Sequence, residues 1–136
     1  KYCGWRPDYV LRLFNRDQCR FNGRAVHEAI IGFKKIKHLK NPLIHYSYQS
    51  AADVEKKTLL YSDLGSQAVS AKRTKIPSVE PGVRASWAFL KTFIVKLGIL
   101  DGLTGFKISK MNYECTYLKY KKARDLLDLT EQSRKG

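Results

Sequence analysis

The feature of this sequence that most limits its fold is a change in residue pattern near Tyr48. Before it, β-prone stretches such as Tyr9–Asn15 and Pro42–Tyr48 are separated by turn residues. After it, apolar residues recur at helical spacing. The first portion is too short to form a complete α/β sheet by itself. We therefore predict a strand-and-loop part at residues 1–48 and a helical part at residues 49–136.

Three helices are predicted in the second part. The first begins at a capping-box-like pair, Ser50 and Asp53, and runs to about Lys72. A proline-containing loop follows it. The other two helices are expected at about residues 83–97 and 103–129. Gly98 would close the second helix, because glycine commonly ends helices in the left-handed conformation.

The first and third helices each carry a row of apolar or aromatic residues at helical spacing. In the first helix the row is Leu60, Leu64, Ala68 and Ala71. In the third helix it is Phe106, Tyr113, Tyr117, Tyr120 and Leu127. Such rows are typical of amphipathic helices, whose apolar side packs against the rest of the protein.

The charge of the chain implies a polyanionic partner. Lys and Arg number 26 against 12 Asp and Glu, so the net charge is +14. Nucleic acid, an anionic membrane surface and phosphorylated small molecules are all attracted by such a charge, and charge alone does not choose among them. The excess is divided almost equally between the two parts, so it is not a basic tail on a neutral domain.

Cysteine usage and hydropathy indicate the surroundings of the chain. Three widely spaced cysteines fit neither a disulfide framework nor a paired-cysteine metal site, which favours a reducing, cytoplasmic setting. The longest apolar run, Trp87–Leu100, is interrupted by Lys91 and Lys96. It suits a buried or membrane-interface helix better than a spanning one. Because the first residue is Lys rather than Met, we expect sequence upstream of it.

An adjacent His27 and Glu28 follow the turn-like Asn22 and Gly23. A zinc-protease helix would need a second histidine where Ile31 stands, so that motif is excluded. Glu28 could act as a general base if a substrate hydroxyl came within hydrogen-bonding reach. Alternatively, it is a helix-start carboxylate stabilised by the macrodipole. The local residues alone favour the second interpretation.

His45 and a series of arginines are further candidates. His45 lies in an apolar, strand-like stretch, where imidazole can be a metal ligand or simply a hydrogen-bonded core residue. No D-x-D, C-x-x-C or H-x-H occurs in the sequence, so other ligands would come from outside this chain. Arginines also recur every fourth residue at Arg12, Arg16, Arg20 and Arg24. They suit phosphate groups, although a solvated charged face is the better explanation for most of them.

The basic, aromatic helices have three interpretations. Their mixture of apolar bodies and lysines is typical of membrane-interface helices, and equally of ordinary packing with a basic outer face. Aromatic residues among lysines could also stack nucleic-acid bases. However, no pattern of a known nucleic-acid-binding motif is present.

Five stretches, in this order, resemble the C-terminal half of bacterial family-2 glycosyltransferases. They are LRLFNRDQCRFNGRAVHEAI, LIHYSY, KKTLLYSDLGSQA, WAFLKTFIVKLGILDGLTGF and YLKY. The likeness is closest to the lipopolysaccharide-core β-glucosyltransferase type, and it covers nearly the whole chain. Each stretch is unspecific alone, whereas the ordered set is characteristic.

The resemblance implies an α/β fold, namely the C-terminal portion of a GT-A (Rossmann-like) glycosyltransferase with short strands followed by three amphipathic helices. Residues 1–48 would be the acceptor side of the catalytic domain, and residues 49–136 a basic, membrane-associated region. In this family, an N-terminal half with a D-x-D motif holds the nucleotide-sugar donor and a divalent cation, Mg²⁺ or Mn²⁺. This chain contains no such motif. We therefore expect it not to catalyse transfer by itself.

The resemblance also implies roles for five residues. Glu28 matches the carboxylate that removes the proton of the acceptor hydroxyl in an inverting reaction. His27, Arg20 and Arg24 would contact the acceptor or the diphosphate. His45 matches a histidine that completes the metal shell.

The implied partners are a nucleotide-sugar donor, a saccharide or lipid-linked acceptor and an anionic membrane surface. The implied location is peripheral, at the cytoplasmic face of the inner membrane, and no nucleic acid is expected. The alternative function is a small basic nucleic-acid-binding module. A membrane-binding domain without catalytic chemistry is a third possibility.

Overall fold

The computed structural model describes residues 2–3, 9–23, 28–41 and 49–135. The fold is mixed but mostly helical, with a two-stranded antiparallel sheet followed by three α-helices. The prediction of short strands followed by three helices agrees with this order of elements. The strand-like stretch Pro42–Tyr48, which includes His45, lies outside the described residues.

The two strands form a short hairpin. Strand β1 is Arg20–Phe21 and strand β2 is Ile30–Ile31, with Arg20 opposite Ile31 and Phe21 opposite Ile30. Asn22 continues the pairing, because its backbone N–H donates to the Ala29 carbonyl at 2.9 Å and its side-chain oxygen accepts the Ala29 N–H at 3.1 Å.

The strand predicted at Tyr9–Asn15 is wrong, because this segment has no regular secondary structure. Leu13 is 87% exposed, so the segment has no sheet to bury its apolar side chains against. The chain instead turns at Asn15. Its side-chain oxygen accepts the Asp17 N–H at 2.9 Å, and its carbonyl accepts the Cys19 N–H at 2.9 Å. Such local bonds give the backbone an alternative to strand pairing.

Helix α1 spans Ala51–Ser70 and begins as predicted. The Ser50 hydroxyl accepts the Asp53 N–H at 3.1 Å, and the Asp53 carboxylate accepts the Gln49 N–H at 3.4 Å. These two bonds satisfy backbone donors that have no partner within the helix. The predicted helix start with Ser50 as its N-cap is therefore confirmed, while the Asp53 carboxylate binds Gln49 rather than the Ser50 N–H of a complete capping box.

Helix α2 spans Glu80–Leu90 and begins earlier than expected, because Pro81 fits the first turn of a helix, where no N–H is needed. It continues as a π-helical stretch, Lys91–Val95. Gly98 does not close it. Leu97 has the left-handed conformation instead, with φ of 56°.

Helix α3 spans Gly102–Lys135 and follows a 3₁₀ turn at Gly98–Asp101. It is longer than predicted and packs against both α1 and α2. Phe106 contacts the rings of Phe89 and Phe93 at centroid distances of 5.8 and 6.2 Å. Farther along, the Arg84 guanidinium lies 4.7 Å from the Tyr120 ring centroid. Two members of the predicted aromatic row therefore face α2. None of the helices in the described ranges is both long and apolar enough to span a membrane.

The helices contact one another through small residues. The buried residues of α1 are Thr58, Ser62 and Ser66, and those of α3 include Gly105, Ser109 and Ala123. The serine hydroxyls donate to carbonyls of their own helix at 2.7–2.8 Å, so their donor groups are satisfied without the neighbouring helix.

The apolar row of α1 correctly predicts a helix, but most of the row lies outside the contact with α3, and only Leu64 is half-buried. Leu60 is 52% exposed, and Ala68 and Ala71 are also exposed. Close approach of two helix backbones favours small side chains at the contact, which places the larger leucines outside it.

Candidate functional site

The hairpin positions two of the five predicted site residues. Arg20 is the first residue of β1, and Glu28 lies two residues before β2. Both side chains are exposed. Continuing the strand register beyond Asn22 and Ala29 places Glu28 opposite Gly23, whose φ of 65° turns the chain at this end. Glu28 therefore lies at the end of the hairpin where the chain passes from β1 to β2, and its side chain is exposed.

The helix-start interpretation of Glu28 is wrong. An extended segment and then β2 follow this residue, and α1 begins only at Ala51. A helix macrodipole therefore does not explain the carboxylate. Within the described ranges, no salt bridge involves Glu28. Its side chain is exposed.

The hairpin also brings two arginines of the four-residue series to one depression. Arg16 and Arg20 line it together with the turn that precedes β1; its other residues are Asp17, Gln18, Cys19, Ile31 and Gly32. Gly32, with φ of 96°, allows this turn to lie against β2, because a Cβ there would collide with the Gln18 carbonyl. Two arginines lining one depression, with Asp17 as the acidic residue beside them, give it a net positive charge that suits a phosphate or diphosphate group. The sequence pattern included Arg16 but did not single it out.

The other three predicted site residues, Arg24, His27 and His45, lie outside the described residues. In the part of the chain that the structure describes, no three His, Cys, Asp or Glu side chains come together as metal ligands would. A role for His45 as a ligand stays a prediction.

The three cysteines are free. Two of them, Cys3 and Cys115, are not activated as nucleophiles by their surroundings. Burial, followed by the charge of Asp101, raises the pKa of the Cys3 thiol above its ordinary value. Burial likewise raises the pKa of Cys115. Cysteine reactivity requires the thiolate, which a raised pKa disfavours. These cysteines are thus suited to packing rather than catalysis.

A cluster of charges fixes the start of α2. Glu80 accepts hydrogen bonds from Arg73 at 2.5 Å and from Arg84 at 2.6 Å. The bond from Arg73, followed by that from Arg84, holds the pKa of Glu80 below its ordinary value. Arg73 lies in the segment between α1 and α2, so this cluster ties that segment to the helix. Because the Glu80 carboxylate binds both arginines, we assign the three side chains a structural role.

Helix α2 exposes a continuous apolar row. We call it the α2 apolar stripe, and it consists of Val79, Val83, Trp87, Leu90 and Ile94, all exposed. The spacing of three or four residues keeps the row on one side of the helix. The opposite side, with Ala85 and Thr92, is buried. The stripe also forms one wall of an open groove, whose other wall includes Tyr117 of α3.

No protein-family model matches this sequence, and no solved structure matches the chain. Family membership and the GT-A fold are therefore proposals. They rest on the ordered sequence motifs and on the geometry of the hairpin that carries Glu28.

Proposed function

We propose that this chain is the C-terminal portion of an inverting, metal-dependent family-2 glycosyltransferase of GT-A fold. The enzyme would transfer a sugar from a nucleotide-sugar donor to a lipid-linked or lipopolysaccharide-core acceptor. The observation that best supports this proposal is the position of Glu28. Its exposed carboxylate lies two residues before β2, at the end of the hairpin where the two strands are connected. It occupies the position at which the sequence resemblance expects the catalytic base.

Glu28 would act on the acceptor hydroxyl. Its carboxylate takes the hydroxyl proton while the acceptor oxygen forms a bond to the anomeric carbon. On the opposite side of that carbon, the bond to the nucleoside diphosphate breaks, and the diphosphate leaves with the bonding electrons. Inversion follows because attack and departure occur on opposite faces. This role requires hydrogen-bonding reach of about 2.6–3.2 Å between the two oxygens.

The hairpin suits such a base for a physical reason. The bonds between Asn22 and Ala29 anchor the backbone immediately beside Glu28. These bonds fix the point from which the side chain extends, and contact with the bound acceptor would order the carboxylate itself. Solvent exposure also leaves space for a large saccharide acceptor.

The remaining proposed ligands are phosphates and a metal ion. Arg20, with Arg16 in the same depression, would bind the diphosphate or a phosphorylated acceptor through planar guanidinium groups. Arg24 and His27 are assigned to the substrate by the resemblance alone. The cation, Mg²⁺ or Mn²⁺, with His45 as a ligand from this chain, has the same basis. Such a cation would neutralise charge on the leaving diphosphate.

The test is a Glu28→Gln variant of the full-length protein, assayed for sugar transfer and for donor binding. We expect transfer to fall about 10²–10⁴-fold, the usual contribution of a general base, with little change in donor affinity. The matched control is Glu55→Gln, which neutralises an exposed carboxylate on α1. Turnover by Glu28→Gln equal to that of the control would remove Glu28 from the role of base.

A second candidate function is a nucleic-acid-binding module. The charge of +14 and the stacked rings of Tyr113 and Tyr117, 6.3 Å apart, favour it. Titration with single-stranded RNA at several salt concentrations tests it. Tight binding with a steep salt dependence, in a full-length protein without transferase activity, would replace the glycosyltransferase proposal.

The location belongs to the proposal as well. A lipid-linked acceptor would lie in the inner membrane, so we place the enzyme peripherally at its cytoplasmic face. The net charge supports attraction to anionic lipid headgroups.

A further inference from the structure

Helix α2 has its small residues inside and its large apolar residues outside. Val79, Val83 and Trp87 are 70%, 65% and 60% exposed, whereas Ala85 is 0% and Thr92 is 5% exposed. Isolated exposed apolar residues are common on protein surfaces, but a continuous row marks an interaction site. The α2 apolar stripe therefore requires a partner.

The apolar surface continues beyond the stripe. After the turn at Leu97, the side chains of Ile99, Leu100 and Leu103 are also exposed. The stripe itself extends about 22 Å along the helix, from the rise of 1.5 Å per residue between Val79 and Ile94. A surface of this length suits a helix lying flat on its partner.

In the sequence that forms this surface, cations outnumber carboxylates. Between residues 79 and 110 the cations are Arg84, which is paired with Glu80, and Lys91, Lys96, Lys107 and Lys110. The same range contains two carboxylates, Glu80 and Asp101, and both are hydrogen-bonded within the protein. Glu80 binds two arginines, and Asp101 accepts the Tyr2 N–H at 2.7 Å.

These charges distinguish between possible partners. A second copy of the chain would bring like charges together, and each copy carries a net charge of +14. An anionic bilayer instead matches both features, because its interior accepts apolar side chains and its headgroups attract cations. Lysines such as Lys91, one turn after Trp87, can extend from the apolar region to the headgroups. Tryptophan is itself enriched at membrane interfaces.

We propose that the α2 apolar stripe inserts into the interface of an anionic membrane, with α2 parallel to the bilayer surface. Trp87 lies near the middle of the inserted row, and the stripe enters about 5–10 Å into the boundary between headgroups and acyl chains. This inference rests on the membrane association in the proposed function and adds the surface that makes the contact.

The first experiment follows Trp87 directly. Within residues 1–136, a Trp5→Phe background leaves Trp87 as the only indole, since these residues contain 2 tryptophans. The full chain is mixed with vesicles of equal parts phosphatidylcholine and phosphatidylglycerol, with or without bromine on the acyl chains. We expect a blue shift of the emission and quenching by the brominated lipid. Binding without either signal would show a purely electrostatic contact and would overturn insertion.

The second experiment measures binding by vesicle flotation. Val83→Asp should weaken it at least tenfold, and Lys91→Gln about fivefold, from the contribution of one cation near an anionic surface. The matched control is Leu129→Asp, because Leu129 is 61% exposed and lies about 39 Å along α3 from Leu103. Leu129→Asp should weaken vesicle binding only by the effect of its added negative charge. Circular dichroism verifies that each variant is folded.

Three outcomes would overturn the proposal: equal losses for Val83→Asp and Leu129→Asp, equal binding to vesicles of phosphatidylcholine alone, or self-association that Val83→Asp abolishes. The last, measured by analytical ultracentrifugation, would assign the stripe to a second copy. No donor or acceptor is present in these assays. A failed insertion is therefore distinguishable from a failed glycosyltransferase proposal.

Discussion

The contact between Gly105 and Gly98 leads to a sharp prediction about stability. A Cβ added to Gly105 would collide with the Gly98 carbonyl oxygen and would lie 2.6 Å from the Gly98 carbonyl carbon. A Cβ on Gly98 would in turn lie 2.7 Å from the Thr92 carbonyl oxygen. All of these atoms belong to the backbone, so no side-chain rotation relieves the collision. The substitution Gly105→Ala must therefore move α3 away from the 3₁₀ turn.

The expected cost follows from the distances. Ordinary contact begins at 3.4 Å, so the Gly98 carbonyl carbon must retreat by at least about 0.8 Å, and its oxygen, which is nearer to the added Cβ, by more. Overpacking of this kind costs about 1–3 kcal/mol, and the rigid backbone on both sides indicates the upper end. Alanine regains about 1 kcal/mol of helix propensity. We expect a net loss of about 2 kcal/mol in the free energy of unfolding, or roughly 8 °C in melting temperature.

Gly82→Ala is the matched control. Gly82 lies in α2, and a Cβ there would meet no atom within 4 Å. The same substitution should therefore raise the free energy of unfolding by up to about 1 kcal/mol. Urea denaturation followed by far-ultraviolet circular dichroism measures both variants. If Gly105→Ala were as stable as Gly82→Ala, the close backbone contact at Gly98 would be refuted.

Two further predictions concern charged groups. The lowered pKa of Glu80 means that its ion pairs stabilise the fold above the ordinary carboxyl pKa, and that this contribution is lost as pH falls through the folded-state value. Between about pH 5 and pH 3, the wild type should therefore lose about 1 kcal/mol more stability than Glu80→Gln, and parallel losses in urea titrations would contradict this. Lys122→Met removes bonds to Ser62 and Asp63 at 3.1 and 2.6 Å, so it should cost about 1 kcal/mol, whereas exposed Lys121→Met should change stability by less than about 0.5 kcal/mol. Equal effects at the two lysines would show that the bridge between α1 and α3 contributes nothing.

The elements that could be predicted from the sequence depend on local chemistry. Ser50 and Asp53 mark the start of α1 because their hydrogen bonds span only a few residues. Asn22 and Gly23 likewise mark the turn that carries Glu28. In both places, the residues that form the local structure are close together in the sequence.

The elements that could not be predicted depend on contacts between distant residues. In α1, the row of Leu60 and Leu64 has the same period as the row of Thr58, Ser62 and Ser66. Periodicity alone does not show which row faces α3. That choice follows from how closely the two backbones approach each other, which no local pattern encodes.

The end of α2 illustrates the same limit. Glycine usually takes the left-handed position after a helix, yet here Leu97 takes it. Gly98 is needed one residue later, where the chain passes close to Gly105. A long-range packing requirement has therefore displaced the usual local preference.

The contact between α1 and α3 has a thermodynamic consequence. Its buried α1 residues, Thr58, Ser62 and Ser66, bring little hydrocarbon out of water when the helices dock. The heat-capacity change of unfolding scales with the apolar area that unfolding exposes. This contact should therefore add little to the heat-capacity change of the whole protein. Its strength should consequently vary weakly with temperature. Small residues in close contact are also the means by which helices associate in lipid, where exclusion of water supplies no driving force. Detergents should therefore weaken the α1–α3 contact less than they would weaken a helix contact made of leucines.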